Sequence, residues 1–387
     1  MIISESNSWF AVTLSVLCGD YSHSFFFDGS TMIKKYFPLK SSVPFLIFLI
    51  GFGLFCCTGC TTSVRQLPPP LVELVWPTGE EIPRILYLGS IERPEDINLG
   101  PNLFQRFWGY LVGKNDVRLV APYGLTVDAA GRIYIVDTFS QKIHLFDVAA
   151  GKFQVFPEGD GALSSPIDIV VDDSSGRIYV ADSKDGIVKV FDTPDDKAPL
   201  TIGEGLLQRP TGLAINRITE ELLVVDTKLF SVFCFDLKTH QLKKRFGEAG
   251  VQQGRFNHPT NISVTRDGTI LITDALNFRI QIFSATGLFQ GTFGSVGDSP
   301  GHFARPRGLA SDSDGNIYVV DALFDNIQIF DNRGRLLMAF GSTGQKYGQF
   351  WLPAGIFIDR DDKIYVADSY NKRIQIFQYL KQDDSLP

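Results

Sequence analysis

Six aspartates at equivalent positions are the residues of this chain whose type and spacing first suggest chemistry. Each ends a short apolar run, and together they are Asp137, Asp182, Asp226, Asp274, Asp321 and Asp368. A ring of six carboxylates could attract a cation. Recurrence in every copy favours a structural role, because carboxylates accept hydrogen bonds from nearby backbone amides in turns. We therefore predict that these aspartates hold turns, and no catalytic residue is predicted among them or elsewhere.

Histidines are too sparse to predict a metal site. The chain has five, and no HxH or HExxH spacing occurs. A zinc site requires three or four ligands. His258 and His302 fall in corresponding loops of neighbouring repeats and are weak candidates, with Asp298 or Glu248 nearby in sequence. No metal site and no cofactor are predicted.

Three glycine-rich loops share the pattern F-G-x-x-G-x-x-x-G-x-F, at 246–256, 293–303 and 340–350. Loops that bind phosphate end in Gly-Lys-Ser or Gly-Lys-Thr and lead into a helix. Neither feature is present, so we expect glycines that permit positive φ and phenylalanines that pack between neighbouring units.

A repeat organises all of these residues. Nearly the same 26-residue segment starts at Pro122, Pro166, Pro210, Pro259, Pro306 and Pro353, with 44 to 49 residues between successive starts. This period is typical of propeller or solenoid arrays. Each unit has three short runs rich in Val, Ile, Tyr and Phe between turn residues, and most have a fourth, which predicts strands. Four antiparallel strands form a propeller blade, so the fold class is all-β with six blades.

The last unit lacks its fourth strand. Its apolar run ends at Tyr379, and the polar tail 381–387 offers no replacement. The segment Arg84–Gly89, upstream of the first unit, reads like a displaced copy of that strand. We predict that it completes the last blade, which would hide two exposed strand edges and give a propeller over 83–380.

The units resemble NHL repeats, with the pattern P-x-G-(I/L)-x-V-D-x-x-G-x-(I/L)-Y-V-x-D followed by R-I-Q-x-F. The resemblance covers roughly residues 84–379 and implies a six-bladed NHL-type propeller. The third unit departs most, because Asn216 and Glu220-Glu221 replace the Asp and Gly of the first turn, and its hairpin is expected to differ. Similar propellers include a metal-dependent lyase acting on peptidyl-hydroxyglycine and, more distantly, lactonases. The resemblance thus leaves a metal ion in the channel open as an alternative.

Residues 32–59 have the pattern of an export signal. Lys34 and Lys35 precede an apolar stretch at 43–55, which is too short to span a bilayer but suits a signal peptide. The stretch leads to Cys57-Thr58-Gly59-Cys60, which resembles a bacterial lipobox and predicts lipidation at Cys60. An uncleaved anchor or an ordinary signal peptide are the alternatives. Translation is predicted to start at Met32, which leaves 1–31 as an upstream extension.

Two segments separate the signal from the repeats. Residues 60–82 are proline-rich and predict a stiff tether. Near 100–113, apolar residues recur at a spacing that places them on one face of a short helix: Leu103, Phe104, Phe107, Trp108 and Leu111. This helix is expected to pack on the propeller, or alternatively to contact a membrane surface or a partner.

Binding sites on a pseudo-symmetric ring are expected where the symmetry breaks. Around the opening prolines the differing residues are Tyr123, Asp168, Asn261 and Arg307, which we predict as a small polar ligand site at one mouth of the channel. The loops after the second strands carry apolar residues that should rim the same mouth. The predicted docking residues are Phe139, Phe230, Phe278, Phe324 and Tyr370. Loop variation without function is the alternative for both sets.

These features favour a membrane-tethered, exported scaffold that binds a protein or ligand at the bacterial cell envelope without catalysis of its own. The alternative is a metal-dependent lyase or lactonase-like enzyme with its site at the channel mouth. NHL propellers of animals bind RNA through a basic face, but a net charge of −7 opposes nucleic acid as a partner. Thr61 follows Cys60 where aspartate would signal inner-membrane retention, which favours the outer membrane.

Overall fold

The computed structural model describes residues 74–79, 81–97, 117–159 and 161–381. The predicted signal, Cys60, most of the tether, the predicted helix near 100–113 and residues 382–387 lie outside these ranges. Within the described ranges, no helix has the length and apolar character needed to cross a membrane.

Six antiparallel sheets follow one another along the chain, as the repeat predicts. Before the first repeat unit lie β1 (Val75–Trp76), β2 (Ile85–Ile91) and a 3-10 turn at Pro94–Ile97. Blade 1 contains β3 (Pro122–Val127), β4 (Ile133–Asp137), β5 (Lys142–Asp147) and β6 (Lys152–Phe156). Blade 2 contains β7 (Pro166–Val171), β8 (Ile178–Asp182), β9 (Ile187–Phe191) and β10 (Leu200–Ile202). Blade 3 contains β11 (Pro210–Asn216), β12 (Glu221–Asp226), β13 (Ser231–Asp236) and β14 (Leu242–Phe246).

The remaining blades repeat the same order. Blade 4 contains β15 (Pro259–Val264), β16 (Ile270–Asp274), a 3-10 turn at Ala275–Asn277, β17 (Arg279–Phe283) and β18 (Phe289–Phe293). Blade 5 contains β19 (Pro306–Ser311), β20 (Ile317–Asp321), β21 (Asn326–Phe330) and β22 (Leu336–Phe340). Blade 6 contains β23 (Ile356–Ile358), β24 (Lys363–Asp368), a 3-10 turn at Ser369–Asn371 and β25 (Arg373–Tyr379). The first strands of successive blades contact one another in a closed ring, so they line the central channel.

The ring closes through the N-terminal strand, as predicted. β2 pairs antiparallel with β25, with Ile85 opposite Tyr379 and Ile91 opposite Ile374. Both isoleucines are fully buried, so the strand contributes core as well as backbone hydrogen bonds. The sequence did not predict β1, which pairs with the other edge of β2 and makes this blade five-stranded. β1 has only two residues, too few for a recognisable alternation.

The core lies between blades. One cluster joins Tyr134 of blade 1 to Phe191 of blade 2, and another joins Ile91 and Tyr365 of blade 6 to Leu125 of blade 1. The predicted role of the glycine-rich loops is confirmed, because Phe256, Phe303 and Phe350 are fully buried. The loops need glycine in part because a side chain at Gly247, where φ is +87°, would overlap the ring of Phe256.

Blade 3 keeps the first hairpin of the other blades, although its different residues led us to expect a difference. The side chain of Asn216 accepts a hydrogen bond from the Ile218 amide at 3.0 Å, as aspartates do at this position in other blades. Glu220 adopts a left-handed φ of +52° where blades 1, 2, 4 and 5 have glycine. Glu221 is buried and pairs with Lys243 and Lys244 at 3.3 Å each. The turn therefore keeps its geometry with different residues.

Candidate functional site

The six repeated aspartates are structural, as predicted. All six are fully buried at the end of the second strand of each blade. Asp226 accepts backbone N–H bonds from Gln208 at 2.6 Å and Arg209 at 2.9 Å, and from the following loop at Lys228 and Leu229. Each carboxylate thus ties the loop that enters its blade to the loop after the second strand.

The channel is constricted at the end where the first strands begin, which we call the narrow end. The Gly308 amide donates to the Ala354 carbonyl at 3.0 Å, and the Gly355 amide donates to the Tyr123 carbonyl at 3.1 Å. A Cβ at Gly355 would lie 2.2 Å from that Tyr123 oxygen. Backbones of neighbouring blades approach so closely here that glycine is required, and a shallow recess remains.

The structure brings the four predicted ligand residues together around this recess. Asp168 and Asn261, which replace glycine in blades 2 and 4, each bond to the next blade. Asp168 Oδ2 accepts the Leu213 amide at 2.8 Å, and Asn261 Oδ1 accepts the Leu309 amide at 3.3 Å. The two side chains therefore link blades at these positions. Ligand binding by these residues stays a prediction.

The other two predicted ligand residues contact each other. The Arg307 guanidinium carbon lies 5.6 Å from the centre of the Tyr123 ring, which is the geometry of a cation–π interaction. Asp168 is the acidic residue that lines the recess, and burial raises the pKa of its carboxyl to about 7. The carboxyl at this end of the channel is thus partly protonated near neutral pH.

The surface at the narrow end carries an apolar arc at one repeated position. Two residues after each repeated aspartate, blades 4, 5, 6 and 1 have Leu276, Leu323, Tyr370 and Phe139, which are 51%, 58%, 60% and 77% exposed. Blades 2 and 3 have the exposed lysines Lys184 and Lys228 at the same position. These loops lie at the narrow end because each second strand runs antiparallel to its first strand. We call these six residues the loop arc.

The five predicted docking residues divide into two groups. Phe139 and Tyr370 belong to the loop arc, and the Tyr370 ring lies 5.6 Å from that of Trp351. Phe230, Phe278 and Phe324 are half-buried instead. Phe230 and Phe278 pack against core clusters. Lys228 and Leu276, two residues before them, are exposed instead.

The side chains of the two weak metal candidates differ in their surroundings. His258 Nδ1 lies 3.0 Å from Asn257 Oδ1, and its ring meets Phe230 edge-on at 5.2 Å. His302 Nδ1 is buried without a hydrogen-bond partner. In the described part of the chain, no three His, Cys, Asp or Glu side chains are arranged to hold a metal ion.

The opposite end of the channel, which we call the wide end, opens into a cavity of about 300 Å³. Its rim carries the seventh residue after the opening proline of blades 2, 3, 4 and 6. These residues are Asp173, Arg217, Arg266 and Arg360. Sequence reasoning missed this set. Comparison of this position across the six repeats would have identified the set, since it is charged in four blades and is Ala129 or Ser313 in blades 1 and 5.

Comparison with known proteins agrees with the repeat architecture. The family model described as NHL repeat matches residues 163–191 and 350–377. "Protein brain tumor" of Drosophila melanogaster is 35% identical over 79 residues, which are 19% of this chain and 8% of that protein. The B-box type zinc finger protein ncl-1 of Caenorhabditis elegans is 41% identical over 46 residues, 12% of this chain and 5% of that protein. The match therefore spans less than a tenth of either relative.

Solved structures share the fold at low sequence identity. An auxiliary nutrient binding protein from Bacteroides thetaiotaomicron superposes with a TM-score of 0.56 and 16% identity, covering 69% of this chain and 71% of that one. A protein of unknown function from the same species gives 0.54 and 18%, covering 68% and 70%. A streptogramin B lyase gives 0.51 and 14%, covering 69% and 96%.

Proposed function

Because the chain carries NHL repeats on a six-bladed β-propeller, we propose that it is a non-catalytic scaffold that binds a protein partner on its narrow end. The observation that carries the proposal is the loop arc. Four consecutive blades expose a large apolar side chain at one position, and the other two expose lysine. Exposed apolar residues on neighbouring loops, with charged residues beside them, are typical of protein-binding surfaces.

The loop arc also suggests what the partner presents. An apolar patch over blades 4, 5, 6 and 1 favours a segment with aliphatic or aromatic side chains. Lys184 and Lys228 close the ring on the remaining side, which favours acidic residues at one end of that segment. The partner surface we propose is therefore apolar with an acidic edge, and no nucleic acid is proposed.

We further propose that the propeller works at the cell envelope of a bacterium. The support is the signal-like segment 32–59 and the lipobox-like Cys57-Thr58-Gly59-Cys60. A lipid on Cys60 and a proline-rich tether over 60–82 would hold the propeller close to a membrane, with the outer membrane preferred. Partner binding would then take place at that surface.

The same fold also supports other roles, since one structural neighbour is described as a nutrient binding protein and another as a lyase. Fold alone does not choose between binding and catalysis. A metal-dependent lyase or lactonase remains the alternative proposal. We favour binding because the exposed loop arc is a specific observation of this chain.

Site-specific photo-cross-linking tests the docking proposal in cells that express the full chain. A benzophenone amino acid replaces Phe139 or Tyr370 on the narrow end. The control replaces Ile218, which is 63% exposed in the first turn of blade 3 at the wide end. We expect the same discrete protein adduct from positions 139 and 370 and none from 218. No adduct at any position, or equal adducts at all three, would refute it.

A further inference from the structure

We propose that the wide end of the channel is a second binding site, which takes a small organic acid with an apolar body and a carboxylate group. This site is separate from the loop arc, because it lies at the opposite mouth of the channel. The cavity of about 300 Å³ sits at the lower limit of small-molecule sites, which suits a ligand of roughly ten non-hydrogen atoms.

The rim of this cavity holds its arginines in place. Arg360 Nη2 of blade 6 and Asp173 Oδ2 of blade 2 are 2.7 Å apart, so the pair reaches past blade 1. Arg266 Nη2 of blade 4 donates to the Arg360 carbonyl at 3.4 Å, past blade 5. Arg217 Nη2 lies 2.7 Å from Asp172 Oδ1. Side chains already ordered in the free protein lose less entropy when a ligand binds.

The charge of the rim favours an anion. Arg217 and Arg360 each have a carboxylate partner, whereas Arg266 forms no ion pair with any described residue. Asp168 and Asp359 also line the cavity, but both carboxylates accept hydrogen bonds within the protein. Asp168 Oδ2 accepts the Leu213 amide. The Asp359 carboxylate accepts bonds from the Asp361 and Lys363 amides and the Tyr365 hydroxyl. The planar fork of a guanidinium matches a carboxylate with two parallel hydrogen bonds. Arg266 is therefore the principal anchor.

Apolar side chains lie directly inside the rim. The fifth residue after the opening proline is β-branched and aliphatic in five blades, namely Val127, Val171, Ile215, Val264 and Ile358. Ser311 occupies the position in blade 5 and Phe357 adds an aromatic wall. A charged rim over an apolar ring matches a carboxylate attached to an apolar body. Inorganic phosphate alone would leave this ring in contact with water.

Isothermal titration of the full chain with benzoate tests the proposal, with benzyl alcohol and benzylamine as neutral and cationic probes of similar size. We expect benzoate to bind and the two other probes to bind at least tenfold more weakly, since a hydrogen-bonded charge pair is worth roughly 1.5–3 kcal/mol. Arg266→Ala should weaken benzoate by roughly tenfold or more for the same reason. Arg266 is exposed, so this change leaves the fold intact.

Two further variants make the result specific. Arg333→Ala removes an exposed arginine that does not line the cavity and should leave benzoate affinity unchanged. Ser311→Phe keeps all three arginines but fills the apolar section, and it should abolish binding. Absence of benzoate binding, equal binding of the three probes, or equal weakening by Arg333→Ala would each overturn the proposal.

Discussion

At the scale of single residues, six buried aspartates connect the loops at one end of the blades. Each repeated aspartate satisfies amides from two loops that the strands leave without backbone partners. Burial of these groups is tolerated because the carboxylate accepts several hydrogen bonds. Every blade requires an acceptor for these loop amides, and this explains why the same residue recurs in each. The repeated aspartates therefore do not mark a catalytic site.

Asp226→Ala should therefore lower the free energy of unfolding by on the order of 3 kcal/mol, since four amide donors lose their acceptor. Urea denaturation followed by circular dichroism measures the change. The control is Asp226→Asn, which keeps one acceptor oxygen and should cost less. Equal stability of the wild type and the alanine variant would contradict this account.

Asp168 gives a pH-dependent prediction. Its pKa rises from 3.8 to about 7 in the folded protein because of burial. Between these values the folded protein keeps a proton that the unfolded chain has lost. Each unit of pH increase across this window should then remove up to about 1.4 kcal/mol of stability, with no further change above about pH 7.

Comparison with Asp168→Asn isolates this effect, because the asparagine cannot titrate and still accepts the Leu213 amide. The variant should gain stability relative to the wild type as pH rises from about 4 to about 7. Urea denaturation across this range provides the measurement. A constant difference between the two proteins would show that the folded carboxyl has an ordinary pKa.

At the scale of elements, the strand β2 decides whether the ring is closed. It comes from upstream of the first repeat unit and pairs with the last strand, so blade 6 joins the two ends of the propeller. A propeller without it would expose the edge of β25 and the core residues beneath. The backbone hydrogen bonds of β25 and the packing of Ile85 and Ile91 thus depend on this one seven-residue strand.

The double variant Ile85→Ala, Ile91→Ala should destabilise the whole domain by roughly 4–8 kcal/mol, taking about 2–4 kcal/mol for each truncated buried side chain. Both side chains are fully buried. Leu88→Ala on the same strand is the control, since Leu88 is 45% exposed and should change stability little. Equal effects of the two variants on the urea midpoint would reject closure through β2.

At the scale of the whole molecule, the two ends of the channel differ. The narrow end combines a backbone constriction with the exposed loop arc, and the wide end opens into a cavity rimmed by arginines. The proposed anchor also belongs to this scale, because a lipid on Cys60 would set where the propeller acts.

Cys60→Ser should release the protein from membranes. Once the signal is cleaved, the lipid on Cys60 is the proposed anchor, and serine cannot carry it. Fractionation of cells that express the full chain measures the soluble share. Cys57→Ser is the matched control and should leave the protein in the membrane fraction. Membrane retention of the Cys60 variant would refute lipidation at this residue.

The sequence by itself determined the six blades, the strand order within each and the closing strand β2. These features depend on local patterns: apolar alternation, turn residues and a period repeated along the chain. It also indicated that Tyr123, Asp168, Asn261 and Arg307 share one mouth of the channel, because equivalent positions in a ring lie at the same height.

Only the tertiary structure decided which end of the channel is open and what faces solvent there. Phe278 packs inward while Leu276 is exposed, although both lie in one short loop. Arg360 and Asp173 meet across the wide end although 187 residues separate them in the chain. Such contacts depend on how closely neighbouring backbones approach and which rotamers fit between them, and neither is encoded in the pattern of a single repeat.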